Sequence, residues 1–278
     1  MTSAALSAEI GVIGGSGFYD FLDDAVRVEF ATPYGEPSDA LVVGEVAGRR
    51  VAFVPRHGAD HRWAPHRIPY RANLWALRSL GVSQVLAPCA VGSLRADHPV
   101  GTLVVPDQVV DRTSGRPQTF YDVPPAKVVH VSFADPYCPS GRGVAVERAR
   151  AAGWPAVDGG TLVIIEGPRF SSRAESQWYA AQGWSTVGMT GQPEATLARE
   201  LALCYTQLAL VTDLDAGIET GHGVTQVDVF AVFKENVGRL RTLLTDVIAG
   251  LPEKRECPCP ATLDGIPTGI EMPGDPRP

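Results

Sequence analysis

What most constrains this chain is a rhythm: short apolar β-type runs, each closing in small residues, alternate with stretches of helical spacing. Glu9-Ile-Gly-Val-Ile13 reads as a buried strand running straight into Gly14-Gly15-Ser16-Gly17. Ala40 to Val46 and Arg50 to Val54 flank Ala47-Gly48-Arg49, which predicts a hairpin with Gly48 in the turn. Within Tyr70 to Leu80 the residues Leu74, Leu77 and Leu80 recur at helical spacing, Gly81 is placed to end the helix, and a strand from Gln84 to Ala87 follows. Later β-type runs at Thr102 to Val105, Val128 to Phe133, Thr161 to Ile165 and Gln207 to Thr212 alternate with predicted helices near 142–152, 172–182, 194–203 and 226–249. The fold class expected from this order is α/β, a three-layer α/β/α sandwich around a central mixed sheet.

With 278 residues, 45% of them hydrophobic and spread along the chain, one large core is affordable and no second domain is required. The expected organisation is a single domain over residues 1–250, followed by a Pro- and Gly-rich tail, 251–278, packed peripherally or mobile. A net charge of -7 without any Lys/Arg run argues against nucleic acid or an anionic membrane as partner, while leaving room for a small anion in a local pocket. Neither a signal-type leader nor a membrane-length apolar stretch is legible, so the expected compartment is the cytoplasm. Cys89, Cys138 and Cys204 sit in apolar contexts and read as buried thiols. Cys257 and Cys259 form a Cys-Pro-Cys in the tail, where exposed thiols are expected and a redox clip stays open; no CxxC pair or histidine-spaced cluster suggests zinc.

Several strand ends carry chemistry. The Gly14-Gly15-Ser16-Gly17 loop can offer backbone N–H groups and a hydroxyl to an anion, or serve as a plain tight turn; it fits neither the dinucleotide fingerprint nor the P-loop. Arg56-His57-Gly58 brings a forked guanidinium and an imidazole to one strand end, a pair suited to a tetrahedral oxyanion, or a surface Arg beside a capping His. Ala87-Pro88-Cys89-Ala90-Val91-Gly92-Ser93 reads as another small-residue loop with free donors. In Glu166 to Glu175, Phe170 offers a π-face to a flat ligand while Ser171 or Ser172 can cap a helix. Met189-Thr190 sets a soft apolar surface beside a hydroxyl, where core filling by Met189 is the competing role. The most informative element is Thr212-Asp213-Leu-Asp215-Ala-Gly: two carboxylates two residues apart at the end of an apolar strand project to one side. A solvated loop or cap is the alternative, and a metal would need further ligands.

The segments IGVIGGSG, TPYGEPSDAL, RHG, NLWALRSLG, DQVVDRTSGRPQTFYD, IEGPRFSSRAES, MTGQPEATLARE and TDLDAG, in this order from Ile10 to about Ile248, resemble the 5'-methylthioadenosine phosphorylase branch of the nucleoside phosphorylase family. The resemblance implies a phosphate site of Ser16, Arg56, His57, Ala90 and Thr190, with Cys89 where the family often has Thr and so without that hydroxyl donor. It implies Met189 against the ribose, Phe170 and Ser171 bordering the base, and Asp213 and Asp215 at the purine edge. It further implies that His130 lines the 5' pocket of a neighbouring subunit in a homotrimer, and that Gln226 stands where adenosine-type members keep a small apolar residue.

Physically, Asp213 would then protonate nitrogen 7 of the leaving purine, Asp215 would accept from the 6-amino group, and inorganic phosphate would be a co-substrate with no metal or organic cofactor. A carboxylate has no donor for a 6-oxo group, so the pair favours adenine. Gln226, if it enters the pocket, would bond a 5'-hydroxyl and extend the substrates to adenosine. The competing expectations are a phosphorylase of inosine and guanosine or of broad specificity, a non-catalytic nucleotide-binding protein, and a nicotinamide dehydrogenase, the last opposed by the glycine spacing.

Overall fold

A computed structural model describes residues 6–15, 22–216 and 223–274. Among them, eleven strands form one mixed sheet with five α-helices. The first half runs β1 (Ile10–Gly14), β2 (Asp23–Val28), β3 (Leu41–Val46), β4 (Arg49–Pro55), α1 (Tyr70–Ser79) and β5 (Gln84–Ser93). Then come β6 (Leu103–Val105), β7 (Gln108–Arg112), α2 (Pro139–Ala151), β8 (Ala156–Asp158), β9 (Thr161–Ile165), α3 (Arg173–Ala181), β10 (Thr186–Gly188), α4 (Gly191–Glu200), β11 (Cys204–Leu214) and α5 (Gln226–Gly250). The strand order is β2-β3-β4-β1-β5-β10-β9-β7, with β11 also pairing β5 and carrying β6 and β8 beyond it.

Alternate side chains along the central strands feed two opposite cores. Ile13, Ala52, Val54 and Tyr205 pack with α1 and α4, whereas Val12, Val51, Phe53, Leu208 and Leu210 pack with α2 and α5. The expected α/β/α sandwich is therefore what forms. The hairpin between β3 and β4 also forms where expected, with Ala47 and Gly48 both at positive φ (51° and 74°), the signature of a tight I′-type turn.

Three expectations need correction. Val128 to Phe133 is not a strand: Val129 is buried and Val131 and Phe133 pack on the core, but no neighbouring strand supplies a hydrogen-bond ladder among the described residues. The segment Ala87 to Ser93 is not a loop; it completes β5, because β11 pairs it along its whole length, from Gln84↔Cys204 to Ser93↔Leu214. Cys257 and Cys259 are not exposed thiols, since Cys259 is 1% exposed and Cys257 half-buried. Beyond Leu251, Leu263, Ile266, Ile270 and Met272 pack against the α1/α4 core. No helix among the described residues is long and apolar enough to cross a membrane.

Candidate active site

The sheet opens at one place, and that opening makes the site. Strand β1 pairs β5 only over Gln84 to Leu86, and β10 pairs the same edge only at Gly92 and Ser93. Between them, the edge of β5 from Ala87 to Val91 faces no strand among the described residues. Because N–H and C=O groups of alternate residues point the same way, Pro88 and Ala90 both turn their backbone polar groups into this gap. Pro88 brings only a carbonyl, which accepts from Arg56 Nη1 at 3.0 Å, so no donor is orphaned there; Ala90 brings an N–H that faces no strand among the described residues. A cleft of about 700 Å³ fills the opening, lined among others by Gly15, Arg56, His57, Ala90, Thr190 and Met189 and by Phe170, Ser171, Asp213 and Asp215.

Arg56 is 2% exposed and nearly saturated. Nε and Nη2 donate to the two carboxylate oxygens of Glu194, each at 2.9 Å, Nη2 also donates to Ile13 O at 2.9 Å, and Nη1 donates to Pro88 O. Of five guanidinium N–H groups, one on Nη1 is left for a ligand. Glu194, at 1% exposure, thus neutralises the cation in advance, and Tyr205 donates its hydroxyl to Glu194 Oε1 at 2.7 Å. Burial opposes the Arg56 charge and the Glu194 carboxylate more than restores it. Gln207 Nε2 donates to Cys89 Sγ at 3.0 Å, and burial pushes the Cys89 thiol up to about 11, so it stays protonated.

His57 turns an acceptor, not a donor, toward the cleft. Its Nδ1 lies 2.8 Å from the carbonyl of Trp63, which can only accept, so the ring proton sits on Nδ1. Burial, and then the neighbouring Arg56 and His61, depress its pKa to about 4 against the Trp63 bond. At neutral pH Nε2 is therefore an acceptor, suited to the hydroxyl of a protonated phosphate. Thr190, 8% exposed, stands immediately before α4.

Asp213 is the penultimate residue of β11, just past a register shift between Val211 and Asp213. Thr212 Oγ1 donates to Asp213 Oδ2 at 2.9 Å, yet burial dominates and, with Asp215 nearby, raises the Asp213 carboxyl to about 6. Asp215, 3% exposed, is also raised by burial, opposed by the Ser176 hydroxyl that donates to its Oδ2 at 2.5 Å. The two acids approach because Gly92 has no side chain: a Cβ there would stand 2.8 Å from Asp213 Oδ1 and 3.1 Å from Asp215 Cβ. The two open roles at Ser171 and Ser172 divide between them. Ser172 caps α3 in a reciprocal capping box with Glu175, while Ser171 is buried on the cleft wall, where its hydroxyl helps to hold the Asp215 carboxyl down against burial.

A mixed sheet split at this point, with a buried guanidinium and two carboxylates lining one cleft, is accompanied by similarity along almost the whole chain: residues 9–249 match the phosphorylase superfamily. The chain belongs to that superfamily. A purine nucleoside phosphorylase of Streptomyces coelicolor is 63% identical over 96% of this chain and 99% of its own. An S-methyl-5'-thioadenosine phosphorylase of Mycobacterium tuberculosis is 53% identical over 95% of this chain and 97% of its own. A methylthioadenosine phosphorylase from Schistosoma mansoni, solved in complex with adenine, superposes with a TM-score of 0.85 at 36% identity, covering 90% of this chain and 93% of that one.

Set within this superfamily, Arg56, His57, Cys89, Ala90, Phe170, Ser171, Met189, Thr190, Asp213, Asp215 and Gln226 all line the one cleft. Gln226, the first residue of α5, is exposed at its rim. Ser16 and Gly17 lie outside the described residues. His130 is exposed and does not line this chain's cleft. Sequence reasoning missed Glu194, His61 and the α5 wall of Val229, Phe230, Phe233 and Val237. Glu194 lay within a segment already singled out, but only the buried partner gives it meaning. His61 stacks on His57 with ring centroids 4.4 Å apart and meets the edge of Phe230.

Proposed function

We propose that this chain is a pentosyltransferase that cleaves S-methyl-5'-thioadenosine with inorganic phosphate, giving adenine and 5-methylthioribose 1-phosphate, a step of purine and methionine salvage. The observation that carries the reading is the pair Asp213, half-buried, and Asp215, buried, on the wall of the same cleft that Arg56, His57, Ala90 and Thr190 line. Phosphate would lie across the sheet opening, held by the remaining Arg56 N–H, the Ala90 amide and the Thr190 hydroxyl, with its own hydroxyl donated to His57 Nε2. Ser16 is proposed to join them. Each charge-assisted bond contributes on the order of 1.5–3 kcal/mol, and placement of the anion adds an entropic gain.

Cleavage builds positive charge on the sugar and negative charge on the purine, so the attacking oxygen approaches the anomeric carbon opposite the departing base. The proton of Asp213 passes to nitrogen 7 as the glycosidic bond breaks, and solvent restores it afterwards. Asp215, whose Oδ2 accepts from the Ser176 hydroxyl, would accept from the 6-amino group. Met189 would touch the ribose, and Phe170 with Ser171 would border the base. The reaction takes no metal or organic cofactor. The apolar α5 wall suits a methylthio group.

A second reading, broader action that includes adenosine or other purine nucleosides, is favoured by Gln226 at the rim and by the Streptomyces coelicolor relative's name. The enzyme is further proposed to act in the cytoplasm as a homotrimer, with His130 entering a neighbour's cleft, and to have neither nucleic acid nor membrane as partner. The test is base release from methylthioadenosine, adenosine and inosine, with and without phosphate. Adenine from methylthioadenosine only with phosphate is the expected result; inosine as the sole good substrate would overturn the role given to the Asp pair.

A further inference from the structure

Away from the cleft, four cysteines from three parts of the chain meet. Cys138 immediately precedes α2, Cys204 opens β11, and Cys257 and Cys259 flank Pro258 in the C-terminal segment. Their Sγ atoms all lie within 4.8 Å of one another, and those of Cys204 and Cys257 are 3.3 Å apart. That separation is well beyond the ~2.05 Å of a disulfide. Four thiolates around a zinc ion at ~2.3 Å stand ~3.8 Å apart along the edges of a tetrahedron, within the span these sulfurs occupy. Among the described residues no histidine or carboxylate joins the group, so the donor set is entirely soft and selects a thiophilic ion.

We propose that Cys138, Cys204, Cys257 and Cys259 form a tetrathiolate zinc site that staples the C-terminal segment to the starts of α2 and β11. The supporting backbone is fixed without the ion. Cys138 N–H donates to Tyr205 O at 2.9 Å and Cys204 N–H to Ser83 O at 3.0 Å, which ties the first two ligands to the sheet. Arg255, two residues before Cys257, donates from Nη1 to Ala202 O at 2.9 Å and Ser83 O at 3.3 Å, bringing the tail alongside Cys204. Three of the four residues are buried and Cys257 is half-buried, which leaves one side for entry. Four thiolates around a divalent ion make a complex of charge minus two beside the N-terminal, positive end of α2, which Cys138 caps. None of the four lines the catalytic cleft, so the site is structural and independent of the reaction proposed above. Linear spacing hides it, because neither half has a familiar zinc pattern by itself.

The full chain, purified with reductant and without chelator, should carry about one zinc by plasma mass spectrometry. Exchange into cobalt(II) should give near-ultraviolet thiolate-to-metal charge transfer and the visible bands of a tetrahedral site. Cys257→Ser, at the most accessible ligand, should lower zinc affinity at least about tenfold in competition with a chromophoric chelator. Cys257→Ser combined with Cys259→Ser should abolish the cobalt spectrum. Wild-type chain with all thiols reduced that takes up no added zinc would overturn the site, whether or not it was isolated with disulfides. So would undiminished zinc affinity in Cys257→Ser. If the double variant fails to fold, the wild-type stoichiometry and cobalt spectrum decide alone.

Discussion

Burial lifts the Asp213 carboxyl to about 6, which makes it a usable acid near neutrality: at pH 7 about a tenth of it is protonated in the free enzyme. Because the acid form is the one required, kcat/KM should fall as pH rises above about 6, approaching tenfold per unit. His57, depressed to about 4, stays neutral through that window and adds no second limb. Asp213→Asn should lower kcat by ~10²–10⁴ and flatten the descent, as steady-state kinetics across pH would show. A profile unchanged by the substitution would remove Asp213 from the proton transfer. The Arg56 and Glu194 pair makes a separate prediction. Removing one partner of a buried ion pair strands the other, so Glu194→Gln should destabilise the fold by roughly 3–5 kcal/mol in urea unfolding and raise the KM for phosphate. A loss below about 1 kcal/mol, the range of surface pairs, would mean the guanidinium relaxes to water.

Among the elements, the site depends on how closely strands and helices pack. Gly92 of β5 gives Asp213 its space, and the atom nearest a new Cβ is a movable carboxylate oxygen. Gly92→Ala should therefore leave unfolding nearly unchanged while displacing the acid and costing kcat about 10²-fold. At Gly141, in the first turn of α2, a Cβ would stand 2.1 Å from Thr206 Oγ1 on β11, where both elements are held by the core. Gly141→Ala should destabilise by about 1–3 kcal/mol through overpacking, and the added substitution Thr206→Ala should recover much of it. Additive losses in the double variant would assign the cost to α2 itself. The same scale explains Val128 to Phe133: its alternation is real and correctly buries one face, but a strand also needs a neighbour for its hydrogen bonds.

For the whole molecule, the homotrimer is the testable expectation: light scattering coupled to size exclusion should give three times the 29.6 kDa chain mass. His130→Ala should then raise the KM for methylthioadenosine while sparing that for phosphate, whereas a monomer of full activity would dismiss the shared site. How much was legible beforehand divides along physical lines. Period-two and period-three-to-four apolar spacing, turn residues and the order of elements sufficed for the α/β/α sandwich, because those features depend on neighbours within a few residues. The long motifs likewise identified Arg56, His57, Thr190, Asp213 and Asp215 as companions. Only the tertiary structure decided that β5 continues through Ala87 to Ser93, since its pairing with β11 is non-local. It alone put Glu194 behind Arg56, turned His57 into an acceptor through the Trp63 carbonyl, and gathered four distant cysteines, because partners, burial and protonation are set by what packs against a side chain and not by what adjoins it in sequence.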